Sequence, residues 1–210
     1  RVTRRAWRRP ADTAEVETLV RVAAHAAETV GDFHGGLAYA LSAVLQSPRL
    51  LFRTEFGASD AVVDGADVRP LDGWELGERL AFFLWNTGPD EALLDAAAAG
   101  ELDDLETPGP IVDGMPADDR ARQGMRAFFS DMLALDGLDE LGKDPAVFDH
   151  FGPDVGPSAR EETLRVLEDV VFGRKDYRTI FTRRSTFINR RLASIYGVRA
   201  PSIDGFAPFT

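Results

Sequence analysis

The chain has 210 residues, 44% hydrophobic and 28% charged, which is long and apolar enough to bury a core and argues against disorder. Its formal net charge of −11 argues against a nucleic-acid-binding protein, and no apolar run approaches the ~20 residues that span a membrane. The absence of cysteine excludes disulfides, thiolate nucleophiles, iron–sulfur clusters, Cys-based zinc sites and a haem c attached within the chain.

Residues 1–10 form a basic arm. They contain five arginines and no acid, so the rest of the chain carries −16. No apolar stretch follows the arginines, so the arm is not a signal peptide. We interpret it as a solvated connector that docks on the acidic body or leads in from another domain, with contact to an anionic surface as the alternative. Because the chain begins at Arg1, we expect a fragment or a processed product.

Two helices joined by a tight corner are predicted next. Asp12 and Glu15 form an acidic capping box for the first helix, and Gly31 ends it. The second helix stops before Pro48. Helical spacing predicts an apolar stripe on each helix, made by Val16, Leu19, Val20, Ala23, Ala24, Ala27 and Val30 and then by Leu37, Ala40, Leu41, Val44 and Leu45. We expect the two helices to pack as an antiparallel pair.

A composition change predicts two domains. Residues 57–70 are small, polar and acidic, which is typical of a linker. We therefore assign residues 1–56 to an N-terminal helical-hairpin domain and residues 71–210 to a second helical domain.

The second domain is predicted to open with a central helix. Asp72 and Glu75 form its capping box, and its apolar residues surround most of the cylinder. The segment from Asn86 to Asp90 then forms a corner, with Pro89 in the first turn of the next helix and Gly100 after its end. Residues 101–119 are rich in proline, glycine and acids and are predicted to form a long loop.

The remaining elements are also helical. Met125, Phe128, Phe129, Met132 and Leu133 are predicted to share the inner face of one helix. Ser158 and Glu161 fit a capping box for the next helix, whose inward residues are Leu164, Leu167, Val170 and Val171. Ser185 or Thr186 is expected to cap a last helix that ends at Gly197. With no alternating strand pattern, the predicted class is all-α: an irregular multi-helix bundle of helical hairpins with long Pro/Gly-rich loops.

Histidines are the first candidates for chemistry. His25, His34 and His150 are candidates for haem ligands of a neighbouring domain, and surface or capping positions are the simpler interpretation. No HExxH or Glu-x-x-His pair accompanies them, so the sequence indicates no metal site.

Carboxylates and other polar groups come second. Glu161 and Glu162 point to different helix faces, so Glu161 is expected to stabilise the helix start and Glu162 to pair with an arginine. Asn86 and Asp90 are explained as a helix end and a helix start. The chain has no GxSxG elbow and no P-loop.

Several long phrases together resemble a known family. They are "RRPADTAEVETLV", "DFHGGLAYALSAVLQSPRLLFRTE", "LDGWELGERLAFFLWNTGPDEALLDAAAAGEL", "KDPAVFDHF", "EETLRVLEDVVF" and "STFINRRLASIYGV". In this order they resemble the two consecutive helical domains of unknown function that precede a c-type haem segment in large planctomycete-type cytochrome proteins. Positions matching the family phrases include Trp85, Asn86, Pro89, Asp90, Glu162, Thr163, Phe187, Asn189, Tyr196 and Gly197. The stretch after Gly100-Glu-Leu is shorter and more proline-broken than the family's.

The resemblance implies a periplasmic or extracellular protein associated with electron transfer. It implies no cofactor in this chain and haem c in neighbouring segments of the parent, whose cytochrome-like domain or a redox partner protein would be the partner. A non-catalytic scaffold or docking module is the first hypothesis. The alternative is a catalytic helical domain, an oxidoreductase or polymer-degrading enzyme served by the haem. Its candidate catalytic groups are Asn86, Asp90, Glu162, Asn189 and Tyr196. An oligomerisation module, marked by a large exposed apolar patch, is the third.

Overall fold

The computed structural model describes residues 1–57, 69–103, 110–144 and 146–210. They fall into two compact units, Arg1–Asp118 and Asp119–Thr210. Most of these residues are helical, so the predicted all-α class is confirmed. The predicted linker at 57–70 lies largely outside the described residues, and the domain boundaries derived from it stay a prediction. None of the described helices is long and apolar enough to cross a membrane.

The first unit contains seven α-helices among its described residues. They are α1 (Val2–Trp7), α2 (Thr13–Val30), α3 (Phe33–Leu45), α4 (Pro48–Leu51), α5 (Gly73–Trp85), α6 (Glu91–Ala98) and α7 (Pro110–Gly114), followed by a 3-10 helix at Met115–Ala117. The long loop predicted for residues 101–119 is therefore wrong in part. Met115 is buried there, and its carbonyl accepts the indole N–H of Trp85 at 3.0 Å, which fixes this segment against α5.

Helices α2 and α3 form the predicted hairpin. The Asp12 carboxylate accepts the Glu15 N–H at 2.8 Å, and the Glu15 carboxylate accepts the Asp12 N–H at 2.9 Å, which confirms the capping box. Small residues make the contact between the helices, since a Cβ added at Gly36 would lie 2.5 Å from the Ala23 carbonyl oxygen. The apolar stripe predicted for α3 is confirmed as an inner face at Val44, which is buried, and is wrong at Leu37, Leu41 and Leu45, which are exposed.

Helices α5 and α6 carry much of the core of the first unit. The capping box of Asp72 and Glu75 is confirmed. Ala81, Leu93 and Leu94 are fully or almost fully buried. The prediction that α5 is apolar-packed on nearly all sides is wrong at Phe83, which is 80% exposed. Pro89 precedes the N-cap residue Asp90 instead of standing in the first turn of α6.

The second unit consists of helices with one small sheet. Its elements are α8 (Asp119–Met132), a 3-10 helix (Leu135–Leu138), α9 (Val155–Val171), α10 (Thr179–Thr182), β1 (Thr186–Ile188), α11 (Arg190–Tyr196) and β2 (Ala207–Phe209). Strands β1 and β2 pair antiparallel, with Thr186 opposite Phe209 and Ile188 opposite Ala207. The sheet is too short to show an alternating pattern in the sequence.

Two apolar clusters hold the second unit together. One consists of Phe129, Leu135, Leu164 and Leu167, and the other of Ile188, Leu192 and Ala193. The predicted inner face of α8 is confirmed at Phe129 and at Met125, which packs against the first cluster. It is wrong at Phe128, Met132 and Leu133, which are exposed. Met125 and Phe129 lie one helical turn apart, so they contact the first cluster from the same face of α8.

The beginnings of α9 and α11 differ from their predicted caps. Helix α9 begins at Val155, and Ser158 lies buried within it, so the Ser158–Glu161 capping box is wrong. The earlier start brings α9 against the 3-10 helix, where a Cβ at Gly156 would lie 1.8 Å from the Leu138 carbonyl oxygen. Ser185 and Thr186 do not cap α11, since β1 intervenes and Asn189 is the N-cap. Gly197 ends α11 with φ 65°, as predicted.

Candidate functional site

Each of the three histidines is exposed on its own unit. His25 is on the outer side of α2, and the backbone carbonyl of this residue accepts the Thr29 hydroxyl. His34 and His150 are exposed beside acids, with Nδ1 of His34 3.8 Å from Asp32 and Nε2 of His150 4.0 Å from Asp149. Within the described ranges, no group of three His, Asp or Glu side chains is placed to hold a metal ion. The assignment of the three histidines as haem-ligand candidates stays a prediction.

Asn86 and Asp90 form the corner between α5 and α6. Asn86 takes the left-handed conformation with φ 54° and donates its backbone N–H to Phe82 O at 3.1 Å. Asp90 accepts the Leu93 N–H on its side chain at 2.9 Å. Both residues therefore end and begin helices, as their sequence positions indicate.

Glu162, Thr186 and Tyr196 form a hydrogen-bonded triad that links α9, β1 and α11. The Thr186 hydroxyl donates to Oε1 of Glu162 at 2.6 Å, and the Tyr196 hydroxyl donates to Oε2 at 2.6 Å. The predicted partner of Glu162 was an arginine, and that prediction is wrong. In the described parts of the chain no cation lies within ion-pair distance of Glu162. The nearby Arg165 binds Glu161 instead, at 2.7 Å.

The triad holds its protons on the hydroxyl groups. Loss of solvent around the phenol, together with the hydrogen bond to Glu162 and the negative charge of that carboxylate, raises the pKa of Tyr196 to about 12. Tyr196 is therefore a neutral donor at any physiological pH. Both oxygens of Glu162 already accept hydrogen bonds, which leaves this carboxylate poorly placed to take a proton from a substrate.

Asn189 braces the same region from the other side. Its Oδ1 accepts the Leu192 N–H at 2.9 Å and so begins α11, while its Nδ2 donates to Oγ of the buried Ser158 at 2.9 Å. The hydroxyl of Ser158 thus joins α9 to α11. This explains why serine is present inside a helix, where the sequence predicted a cap.

Three clefts on the second unit have volumes of about 690, 480 and 320 Å³. Asn189 lines the cleft of about 480 Å³, together with Asp154, Arg190 and Arg191. Glu162 and Tyr196 line none of these three. In the largest, Arg160 binds Asp136 at 2.8 Å and Asp139 at 3.0 Å, and Arg126 bridges Glu161 and Glu168. Its arginines are thus paired with acids of the same unit.

A buried ion pair in the first unit was missed by sequence reasoning. Arg8 is 6% exposed, and its Nε lies 2.8 Å from Oε1 of Glu78. Its two Nη atoms donate to the carbonyls of Ala6, Arg49, Leu50 and Phe52 at 2.7–3.4 Å. Both charged groups line a cleft of about 180 Å³, where both Nη groups of Arg8 already donate to backbone carbonyls. The pair therefore has a structural role, because it joins the end of α4 to α5.

The basic arm is therefore partly a core element. Arg4 binds Glu91 at 3.0 Å and Asp95 at 2.6 Å, which confirms that the arm docks on the acidic body. Its interpretation as solvated is wrong for Trp7 and Arg8, which are buried. The tryptophan among five arginines was the available signal, because a large aromatic side chain usually marks buried contact area.

Two protein-family models match the chain. Residues 71–198 match PSD4, a protein of unknown function (DUF1592), and this match covers more than half of the chain. The chain belongs to the DUF1592 family. Residues 1–55 match PSD5, a protein of unknown function (DUF1595). The resemblance to two consecutive helical domains of unknown function is thereby confirmed. Searches of curated proteins and of solved structures found no match.

Within the DUF1592 match, the polar candidates form hydrogen bonds in each unit separately. Asn86 and Asp90 cap helices of the first unit, whereas Glu162, Asn189 and Tyr196 join α9, β1 and α11 of the second. Each of these five side chains or backbones serves an identifiable structural contact.

Proposed function

We propose that this DUF1592 chain is a non-catalytic helical scaffold and docking module of a periplasmic, c-type-cytochrome-containing multidomain protein, with a role in electron transfer. One observation carries the non-catalytic part: the Glu162 carboxylate, the best-placed acid of the predicted set, is occupied by the hydroxyls of Thr186 and Tyr196. Acid–base catalysis would need this carboxylate to reach a substrate in a cleft, and Glu162 lines none of the three clefts of the second unit described above. The cytochrome context comes from the resemblance stated above.

The docking part is supported by the outer surface of α3. This helix contains no Asp, Glu, Lys or Arg, and Leu37, Leu41 and Leu45 follow one another at four-residue spacing on its exposed side. Exposed apolar stripes of this kind mark contact surfaces more often than free ones. The partner we propose is the cytochrome-like domain of the same parent protein.

Charge supports the same partner class. The first unit carries 10 basic and 21 acidic side chains, a formal −11, whereas the second carries 14 of each and is neutral. A strongly acidic unit favours a basic partner, and salt should weaken that attraction.

The proposal is tested by the visible absorption spectrum of the intact parent protein. His25, His34 and His150 are each changed to Ala, and we expect a haem Soret band that is unchanged in all three variants, because each side chain is solvent-exposed. A shifted band in one variant would make that histidine an axial ligand and give this chain a direct redox role. A parent protein without any haem signal would refute the electron-transfer context.

A further inference from the structure

The charge of the chain is strongly divided along its length. Residues 174–210 contain eight basic and two acidic side chains, a formal +6. Residues 1–173 therefore carry −17 of the total of −11. The C-terminal part of the second unit is thus a basic region in an acidic protein.

The basic turn, which we define as residues 174–184, combines this charge with exposed aromatic rings. Its sequence, RKDYRTIFTRR, has a formal charge of +4. Phe181 is 79% exposed and Tyr177 is 50% exposed, and their rings meet edge to face at 6.2 Å. Tyr, Phe and Arg are the residues that concentrate at the centres of protein interfaces.

The basic turn is held firmly by the body of the second unit. Lys175 and Arg183 both bind Oδ2 of Asp169, at 2.7 and 3.0 Å, and these hydrogen bonds lower the pKa of the Asp169 carboxyl. Ile180 packs against the cluster of Phe129, Leu135, Leu164 and Leu167. Phe181 is therefore displayed on an anchored turn, so little conformational freedom is lost when a partner covers it.

Two cations at the ends of the turn are available to a partner. Arg174 and Arg184 are exposed, and neither has an ion-pair partner in the described parts of the chain. In the sequence they stand on either side of Phe181, at the two ends of the segment. This arrangement, an exposed ring between charged residues, is that of an interface anchor with a polar rim.

We propose that the basic turn is a docking site for an acidic surface of a partner protein, with Phe181 entering an apolar pocket and Arg174 and Arg184 binding surrounding carboxylates. Charge complementarity selects this partner class. A long polyanion such as nucleic acid, or an anionic membrane, would also meet residues 119–173 of the same unit, where 6 basic and 12 acidic side chains give a formal −6 that repels it. A local acidic patch on a protein would not.

The inference deepens the proposed docking role by naming a second surface and its partner class, and it rests on that role. Its test needs no haem. Failure of the test would leave the scaffold proposal standing, and a parent protein without haem would leave this site standing.

The test uses the full chain and a fluorescein-labelled peptide in which two runs of three glutamates flank a Trp-Leu-Trp centre. Binding is followed by fluorescence anisotropy at low salt and at about 0.15 M salt. Two-dimensional NMR of the isotope-labelled chain then locates the site. The key variants are Phe181→Ser and the pair Arg174→Glu with Arg184→Glu. The matched control is Ile203→Ser, since Ile203 is equally exposed at 80% but lies outside the turn.

We expect binding that salt weakens, NMR shifts concentrated in residues 174–184, and at least about tenfold weaker binding for each key variant. Ile203→Ser should bind like the wild type. The proposal is overturned if the peptide does not bind at low salt, or if Ile203→Ser weakens binding as much as Phe181→Ser. It is also overturned if duplex DNA or vesicles of anionic phospholipid bind the turn as well as the peptide does.

Discussion

At the scale of single residues, Arg8 is the side chain on which the first unit depends most. Its guanidinium joins the carbonyls at the end of α4 to Glu78 of α5. Arg8→Ala would leave Glu78, whose side chain is 15% exposed, without its cation and several carbonyls without donors. We expect the free energy of unfolding to fall by about 3–5 kcal/mol. Urea titration followed by tryptophan fluorescence measures this, because Trp7, Trp74 and Trp85 all lie in the first unit.

A neighbouring arginine provides the control for this prediction. The Arg5 side chain is 69% exposed, and its Nε lies as far as 3.7 Å from Oε1 of Glu91. Arg5→Ala should therefore change the free energy of unfolding by less than about 1 kcal/mol. Equal losses of unfolding free energy in the two variants would show that the pair of Arg8 and Glu78 stabilises the chain no more than a surface ion pair does. Arg8→Lys should lie between them, since an ammonium group cannot reach the same set of carbonyls.

Tyr196 gives a pH dependence with a definite sign. Its pKa is raised from 10.0 to about 12 in the folded chain, so folding favours the protonated phenol. The stability that this contributes is complete below pH ~10 and is lost as pH rises from there toward about 12. We expect the free energy of unfolding to fall over this range in the wild type and less steeply in Tyr196→Phe.

A direct titration of the phenol checks the cause of this shift. In a Tyr39→Phe, Tyr177→Phe background the ultraviolet absorbance of the phenolate reports Tyr196 alone. Glu162→Gln removes the negative charge but leaves the burial, which is the larger cause. The titration midpoint should therefore move only part of the way back toward 10.0. An unchanged midpoint would mean that Glu162 does not contribute to it.

At the scale of elements, two adjacent glycines test the hairpin of α2 and α3. A Cβ at Gly36 would lie 2.5 Å from the Ala23 carbonyl oxygen and 2.7 Å from the Ala27 Cβ. Gly36→Ala should force the helices apart and lower the free energy of unfolding by about 1–3 kcal/mol. A Cβ at Gly35 meets only side chains, at 3.2 Å or more. Gly35→Ala should be neutral or stabilising because alanine favours helix. Urea unfolding of both variants measures these changes. Equal losses of unfolding free energy in the two variants would contradict the close contact between Gly36 and α2.

Local signals explain which elements could be predicted from sequence. The capping boxes of α2 and α5 and the glycine ends of α2 and α11 each depend on residues within one turn, so their patterns suffice. The start of α9 could not be predicted in this way. Its Ser158 fits a cap by spacing, but the helix begins earlier, where Gly156 packs against Leu138 and Asn189 takes the Ser158 hydroxyl.

The candidate site shows the same limit. Glu162 and Tyr196 could be selected as polar candidates, but their hydrogen bond joins positions 34 residues apart. The intervening β1 has only three residues, too few to predict from a pattern. Glu162 binds two hydroxyls and not the expected arginine because β1 and α11 pack against α9. The spacing of residues in the sequence does not reveal this packing.

At the scale of the whole molecule, acidity is concentrated in the first unit. Its formal charge is −11, while the second unit is neutral. Glu17 and Glu28 are exposed and lie three turns apart on one side of α2. A basic partner should therefore be attracted chiefly by the first unit, at low salt above all, because screening is strong beyond ~8 Å at physiological ionic strength.

This prediction can be measured with a basic c-type cytochrome as the probe protein. We expect its association with the chain at low salt to weaken several-fold in Glu17→Gln, Glu28→Gln and to disappear toward about 0.15 M salt. The matched control removes two charges from the second unit, through Asp131→Asn and Glu140→Gln, both at exposed positions. Because that unit is already neutral, the control should bind almost as the wild type does. Equal weakening by both double variants would mean that net charge alone attracts the probe and that the first unit presents no acidic docking face.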